Sequence, residues 1–232
     1  MVDFVLAITE VTEMGARYCV AGWRPDIQRM VRPLPGARHW TAYQLEKYGV
    51  KPGCMIRVAP TGAPYRQIYP HHTEDVVVDE TVQSLASEGA FPWFGAGAPA
   101  VEESLEKAFD SALKASGAWH DVHTGVFVPA GTHTRSLVAL EINAASLFLF
   151  EQEFDAKLSL RGQLTDQNGC YNLAVVSKTL REAWRDHGID AVKRMIPEKG
   201  KLHIRIGLAR PWSPTDDKPP DQCYVMINGV NW

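Results

Sequence analysis

The sequence holds no apolar run near the roughly 20 residues that a membrane-spanning helix requires. It has few cysteines: Cys19, Cys54, Cys170 and Cys223 are widely spaced, with no CxxC pair. The opening "MVDFVLAITEVTEMG" carries Asp3 and no basic n-region, so it does not read as a signal peptide. Reduced thiols in a cytoplasmic, non-membrane protein are therefore expected. There is no GxxxxGK[ST], GxGxxG, GxSxG or HExxH, so the sequence offers no phosphate-cradling loop, nucleophile elbow or zinc helix. No catalytic constellation, metal or cofactor is expected. A large charge excess is also missing: the formal net charge is −3.

That small total conceals an uneven distribution. Residues 17–38 hold Arg17, Arg24, Arg29, Arg32 and Arg38 against Asp26 alone. Residues 157–210 hold eleven Lys and Arg against five Asp and Glu, whereas residues 73–110 hold nine acidic side chains against Lys107. Two basic ends flank an acidic middle. Both basic ends fall in strand-like sequence, where cations are more informative than on a solvated helix.

At 232 residues the chain can form one domain or two, and two units of about 100 residues each would be ordinary. The first sixty residues carry four short strand patterns, "DFVLAI" (3–8), "RYCVAGW" (17–23), "QRMVRPL" (28–34) and "CMIRVA" (54–59), with a helical turn at 42–48. "EDVVVDETVQSLASEG" (74–89) predicts an extended segment and then a helix. "AVEESLEKAFDSALKAS" (100–116) has apolar residues at helical spacing, with Pro99 before it and Gly117 after it, and predicts a helix. "TGVFVPAGTHT" (124–134) reads as a strand and loop. The last third returns to strands at 136–142, 146–152, 156–164 and 169–176, with a hairpin turn at "TDQNG" (165–169). A Ser-capped helix over 177–188, a short helix over 189–196 and strands at 201–211 and 222–230 follow. "VRPLPGARHW" (31–40) and "ARPWSP" (209–214) each put Arg-Pro at the end of an apolar run. Proline suits a strand exit because it cannot continue the ladder.

The stretches "VLAITEVTEMGARYCVAGW...MVRPL" (5–34), "KPGCMIRV" (51–58), "EDVVV" (74–78), "KLSLRGQLTDQNGCYNLAVV" (157–176), "LHIRIGLARPW" (202–212) and "CYVMINGV" (223–230) together resemble the dual OB-containing domain family. The resemblance implies a mainly β fold with an α insertion. Two OB-like β-barrels would occupy residues 1–80 and 136–232, with a helical insertion or linker at 81–135. It further implies nucleic-acid or nucleotide binding in a bacterial conflict or antiviral-defence setting. It supplies no catalytic residues.

The candidate binding residues are those that would put charge and rings on barrel strands. Arg17, Trp23, Arg24, Arg29 and Arg32 lie in the first strand group, where guanidinium groups grip phosphate and Trp23 stacks a base. Lys157 and Arg161 alternate with Leu158 and Leu160, the pattern of a half-buried strand with a basic outer face. Tyr171 and Arg205 lie in neighbouring strands, and Arg210 and Trp212 flank Pro211. In "WHDVH" (119–123), His120, Asp121 and His123 could hold a metal, but no third ligand element is placed by sequence, so a polar loop is expected. The leading expectation is a non-catalytic accessory protein that binds single-stranded DNA, RNA or a nucleotide. The alternative is an interaction module that docks an effector protein such as a nuclease or helicase, which the acidic middle favours.

Overall fold

The computed structural model describes residues 2–63, 68–85, 93–94, 98–154, 156–213 and 221–232. The chain divides into two compact units, Met1–Gln67 with His72–Ala100 and Ile68–His71 with Val101–Trp232. Each is mostly β, a sheet curled on itself.

The first unit begins with the meander β1 (Phe4–Met14), β2 (Arg17–Arg24) and β3 (Arg29–Pro35). Its strands pair antiparallel, and a register shift between Ile8 and Glu10 bends β1. Helix α1 (Ala42–Lys47) follows. It starts where it does because Thr41 and Gln44 form a reciprocal capping box. β4 (Met55–Val58) returns antiparallel to β1, and β5 (Asp75–Val78) runs parallel to β3. β4 and β5 meet through a Pro60–Val78 bridge and a 2.9 Å hydrogen bond from Asp79 N to the Ala59 carbonyl. The circuit β1–β2–β3–β5–β4 is thereby closed, which is the strand order of an OB barrel. β6 (Gln83–Leu85) adds outside β4. Leu6, Ile8, Val20 and Ile56 fill the interior, each burial contributing about 1.5–3 kcal/mol.

The second unit repeats this circuit with different lengths. β9 (Leu137–Asn143) and β10 (Leu147–Phe154) are one bent path, interrupted only by a 3-10 turn at Ala144–Ser146. β10, β11 (Lys157–Asp166) and β12 (Gly169–Val175) form the meander. α3 (Lys178–His187), capped by Ser177, and α4 (Ile189–Met195) stand between β12 and β13 (Lys201–Leu208). β14 (Gln222–Asn231) runs parallel to β12 and antiparallel to β13, which returns antiparallel to β9. Leu140, Leu164, Leu173, Ile204 and Ile227 form its core.

Three expectations are corrected here. The helix expected over 100–116 is a single turn, α2 (Leu105–Ala108). Ser104 caps it, Leu105, Ala108 and Phe109 are buried at once, and Asp110 and Ser111 then take positive φ and end it. The sequence beyond forms a hairpin instead, β7 (Lys114–Trp119) and β8 (Val122–Pro129), added to the sheet through β12 and β14. The segment after β5 forms β6 rather than opening a helix, and residues 86–92 lie outside the described residues, as do 95–97 of the aromatic loop. Arg32-Pro33 does not end its strand. Pairing with β2 stops at Val31, so Pro33 sits where no ladder donor is required, and β3 continues to Pro35 against β5. Arg210-Pro211 does lie beyond the end of β13.

Candidate nucleic-acid interface

The β10–β11–β12 meander has two faces of opposite character. Leu149, Leu160, Gly162, Leu164, Tyr171 and Leu173 point inward, and a Cβ on Gly162 would meet Ile227 Cδ1 at 2.6 Å, so the strand lies close on the core. Directly paired residues share a face. The pairs Phe150–Arg161, Gln152–Ser159 and Phe154–Lys157 therefore stand together on the outer side, with Phe148 opposite Gln163 and Asn172 beyond it.

This outer face combines rings, cations and amides. Phe148 is 56% exposed and Phe154 73% exposed. The Phe148 and Phe150 rings stack with centroids 6.1 Å apart and an interplanar angle of 16°. Lys193 reaches from α4 to place its ammonium 5.1 Å from the Phe148 centroid. Arg161 donates from Nε to Asn172 Oδ1 at 2.8 Å and from Nη2 to the Asn172 carbonyl at 3.0 Å. Asn172 Nδ2 donates to Gln152 Oε1 at 3.1 Å, and Ser159 Oγ donates to the Gln152 carbonyl at 2.9 Å. A polar network thus crosses all three strands. Burial lowers the Arg161 pKa from its ordinary value, through loss of hydration. A guanidinium starts high enough to remain charged at neutral pH.

The expected site residues separate by burial. Lys157 is exposed and Arg161 half-buried, both on this face. Tyr171 belongs to the opposite, inward face and is buried, and its neighbour across the register is Leu164. Arg205 is wholly buried in β13, a strand flanked by β9 and β14 and covered on both sides. Both are therefore withdrawn as solvent-facing ligands. Arg210 is half-buried beyond β13, in the connection to β14. Trp212 is exposed and edge-on to Tyr224 at 5.8 Å, held by a bridge to Gln222.

In the first unit the corresponding strands offer little outer face. Trp23 is buried, as are Cys19 and Ala21 beside it on β2. Arg32 is buried and bonded through Nη1 to Asp75 Oδ1 at 2.5 Å. Trp23 and Arg32 are withdrawn for the same reason: a buried group cannot meet a strand in solvent without unfolding its surroundings. Arg24 is engaged by Asp26 at 3.0 and 2.8 Å and lies 4.2 Å over the Phe4 ring. Arg17 and Arg29 are exposed at the two ends of the β2–β3 region. His120 and Asp121 form the tip of the β7–β8 hairpin. Among the described residues no cluster of three His, Cys, Asp or Glu side chains is placed to hold a metal. All four cysteines are free thiols. Among the described residues no helix is long and apolar enough to cross a membrane.

Sequence reasoning missed Phe148, Phe150, Phe154, Gln152 and Asn172. A signal was present: in "SLFLFEQEF" Leu147 and Leu149 alternate with Phe148 and Phe150, and Phe154 keeps the Phe parity, so apolar residues occupy both faces of one strand. A strand apolar on both sides whose second face is not covered presents that face to a partner.

Two closed β circuits, one with an aromatic and basic outer face across its first three strands, define a protein of the double OB class. The dual OB-containing domain model matches residues 5–230, and the chain belongs to that family. No curated protein and no solved structure matches the chain.

Proposed function

We propose that the protein binds single-stranded nucleic acid along the outer face of β10–β11–β12, as an accessory module without catalysis of its own. The carrying observation is the co-location of Phe148, Phe150 and Phe154 with Lys157, Arg161 and Lys193. OB barrels bind oligonucleotides over the face of their second and third strands, here β11 and β12, and the loops beside them; the rings of β10 extend that face. Successive bases stack on Phe148 and Phe154, each stack contributing about 1–3 kcal/mol. Lys157, Lys193 and the anchored Arg161 neutralise phosphates, and Gln152, Gln163 and Asn172 face the base edges. Arg210 and Trp212 belong to the β13–β14 connection, a loop that OB barrels use as a rim. The setting that fits is cytoplasmic, in a bacterial conflict or defence system.

Fluorescence anisotropy with labelled oligo-dT and oligo-U, at about 50 and 200 mM salt, tests this reading. Saturable binding that weakens steeply with salt and is lost in a Phe148→Ala/Phe154→Ala/Lys157→Glu variant supports it. The exposed Phe154 and Leu158 at the β10–β11 turn favour a second reading, docking of an effector protein. No binding of either polymer at low salt, with partner capture insensitive to salt, would decide for that one.

A further inference from the structure

The first unit carries a separate cleft of about 400 Å³ beside α1. That volume lies within the roughly 300–1,000 Å³ of small-ligand sites. Four parts of the unit build it. Arg17 comes from the start of β2, Arg38 from the β3–α1 turn, Tyr43, Lys47 and Tyr48 from α1 and its end, and Glu80 from the segment after β5. The turn is fixed by positive φ at Gly36 and Ala37, and by a 3.0 Å bond from Arg38 N to the Pro35 carbonyl. Gly36 suits the turn because its φ of +53° lies in the left-handed region that glycine adopts without a Cβ penalty. Tyr48 Oη donates to the Glu80 carbonyl at 3.3 Å, which ties the far wall to the helix.

The lining is unbalanced in charge. Arg17, Arg38 and Lys47 face one concavity against the single carboxylate of Glu80. Among the described residues none of these three cations is in an ion pair. Lys47 Nζ lies 5.8 Å from the Tyr43 centroid and 5.0 Å from that of Tyr48. Tyr43 is 69% exposed, so a flat ring stands at the mouth beside the cations. Three converging cations suit the multiple oxygens of a phosphate chain, and an open aromatic face suits a base.

We infer that this cleft binds the phosphate-bearing end of a nucleotide, with phosphates on Arg17, Arg38 and Lys47 and the base against Tyr43. The nucleotide can be free or can be the 5′-phosphorylated terminus of a strand. The site lies wholly in the first unit, uses none of the residues of the β10–β11–β12 face, and stands or falls independently of strand binding there.

The test is titration of the full chain with N-methylanthraniloyl-ADP, followed by fluorescence. Saturable binding, displaced by ADP and pyrophosphate but not by adenosine, is expected. Arg38→Gln and Lys47→Gln should each weaken it about tenfold, the scale of one lost charged hydrogen bond. Tyr43→Ala should weaken ADP and spare pyrophosphate, a split that mere loosening of the fold would not produce. Phe148→Ala/Phe154→Ala should leave binding unchanged, which separates this site from the strand face. A 5′-phosphorylated oligo-dT that competes better than ADP, and better than its 5′-hydroxyl form, assigns the cleft to strand ends. Absence of saturable binding by both ADP and the phosphorylated oligonucleotide overturns the inference, as does binding untouched by Arg38→Gln and Lys47→Gln. Thermal midpoints of the variants, all at exposed positions, serve as the folding control.

Discussion

Arg161 on β11 and Asn172 on β12 are joined twice, side chain to side chain at 2.8 Å and side chain to main chain at 3.0 Å. The pair holds a long, half-buried cation in one orientation on an otherwise aromatic face. A guanidinium fixed in this way loses less entropy when it meets a phosphate. Asn172→Ala should therefore weaken single-strand binding by about three- to tenfold while leaving the charge in place. Arg161→Lys should not substitute, because an ammonium cannot make the forked contact. A double-mutant cycle of Arg161→Ala and Asn172→Ala on oligo-dT affinity should show strong coupling, and simple additivity would refute the positioning role.

Phe148 and Phe154 are exposed large rings on the same side of β10. Each Phe→Ala change should reduce affinity by about 5- to 100-fold, from a stacking contribution of about 1–3 kcal/mol. Because both rings are solvent-facing, the thermal midpoint should barely move. A large loss of stability with unchanged affinity would assign them to packing instead.

The three cations of the face predict a defined salt response. Contacts from Lys157, Arg161 and Lys193 should give a slope of log K against log salt of about −2, at about −0.7 per phosphate for single strands. Lys157→Gln should make the slope shallower by about 0.7. A wild-type slope near zero would exclude phosphate contacts on this face.

Alkaline pH should destabilise the second unit. Burial raises the Cys223 thiol from 9.0 to about 11. It also raises the Tyr171 hydroxyl from 10.0 to about 12, and the Asp166 and Glu106 charges add to that rise. Both groups keep their proton to higher pH when folded, so their contribution is complete below the unfolded values and is lost as pH climbs through the folded ones. Urea midpoints should fall between pH 9 and 12, and Cys223→Ala should flatten the part from 9 to 11. A midpoint constant across that range would contradict the burial of these groups.

Asp75→Ala should be among the most damaging changes in the first unit. It removes the carboxylate that faces Arg32 at 2.5 Å and leaves the buried guanidinium without its hydrogen-bonded partner, Glu74 being the acidic group still near it. Breaking such a pair from one side costs about 3–5 kcal/mol, whereas replacing both partners with apolar groups of similar volume costs far less. Urea denaturation of Asp75→Ala against Arg32→Met/Asp75→Leu measures the difference. Equal stabilities would show that the pair is solvated.

Arg32 also shows where the sequence misleads. An arginine in a basic run beside Tyr18 and Trp23 reads as a surface cation, and its partner Asp75 lies 43 positions away. Only the parallel pairing of β3 with β5 brings the two together. Arg205 is hidden too, because β13 is buried on both faces from Leu202 to Leu208, which its neighbours in sequence do not show. By contrast, Lys157 and Arg161 were legible, since strict alternation with Leu158 and Leu160 fixes which face looks outward.

Strands β1–β5 and β8–β14, the helical turn of α1, the Ser-capped α3 and the basic alternation of β11 follow from the sequence by itself. Period-two patterning, turn chemistry and caps are local forces that act within a few residues. The failed helix over 100–116 marks the limit of that reasoning. Its apolar spacing suited a helix, but burial of Phe109 at the end of one turn and pairing of the following residues with β8 outweighed a propensity of a few tenths of a kcal/mol per residue, or about that order. Tertiary structure alone decided which barrel face is open. It buried Trp23, Arg32, Tyr171 and Arg205, left Phe148 and Phe154 in solvent, and set Arg17, Arg38 and Lys47 around one cleft. Those outcomes depend on closing each sheet into a circuit, a long-range event in which the residues that meet are set by strand register and not by their neighbours in sequence.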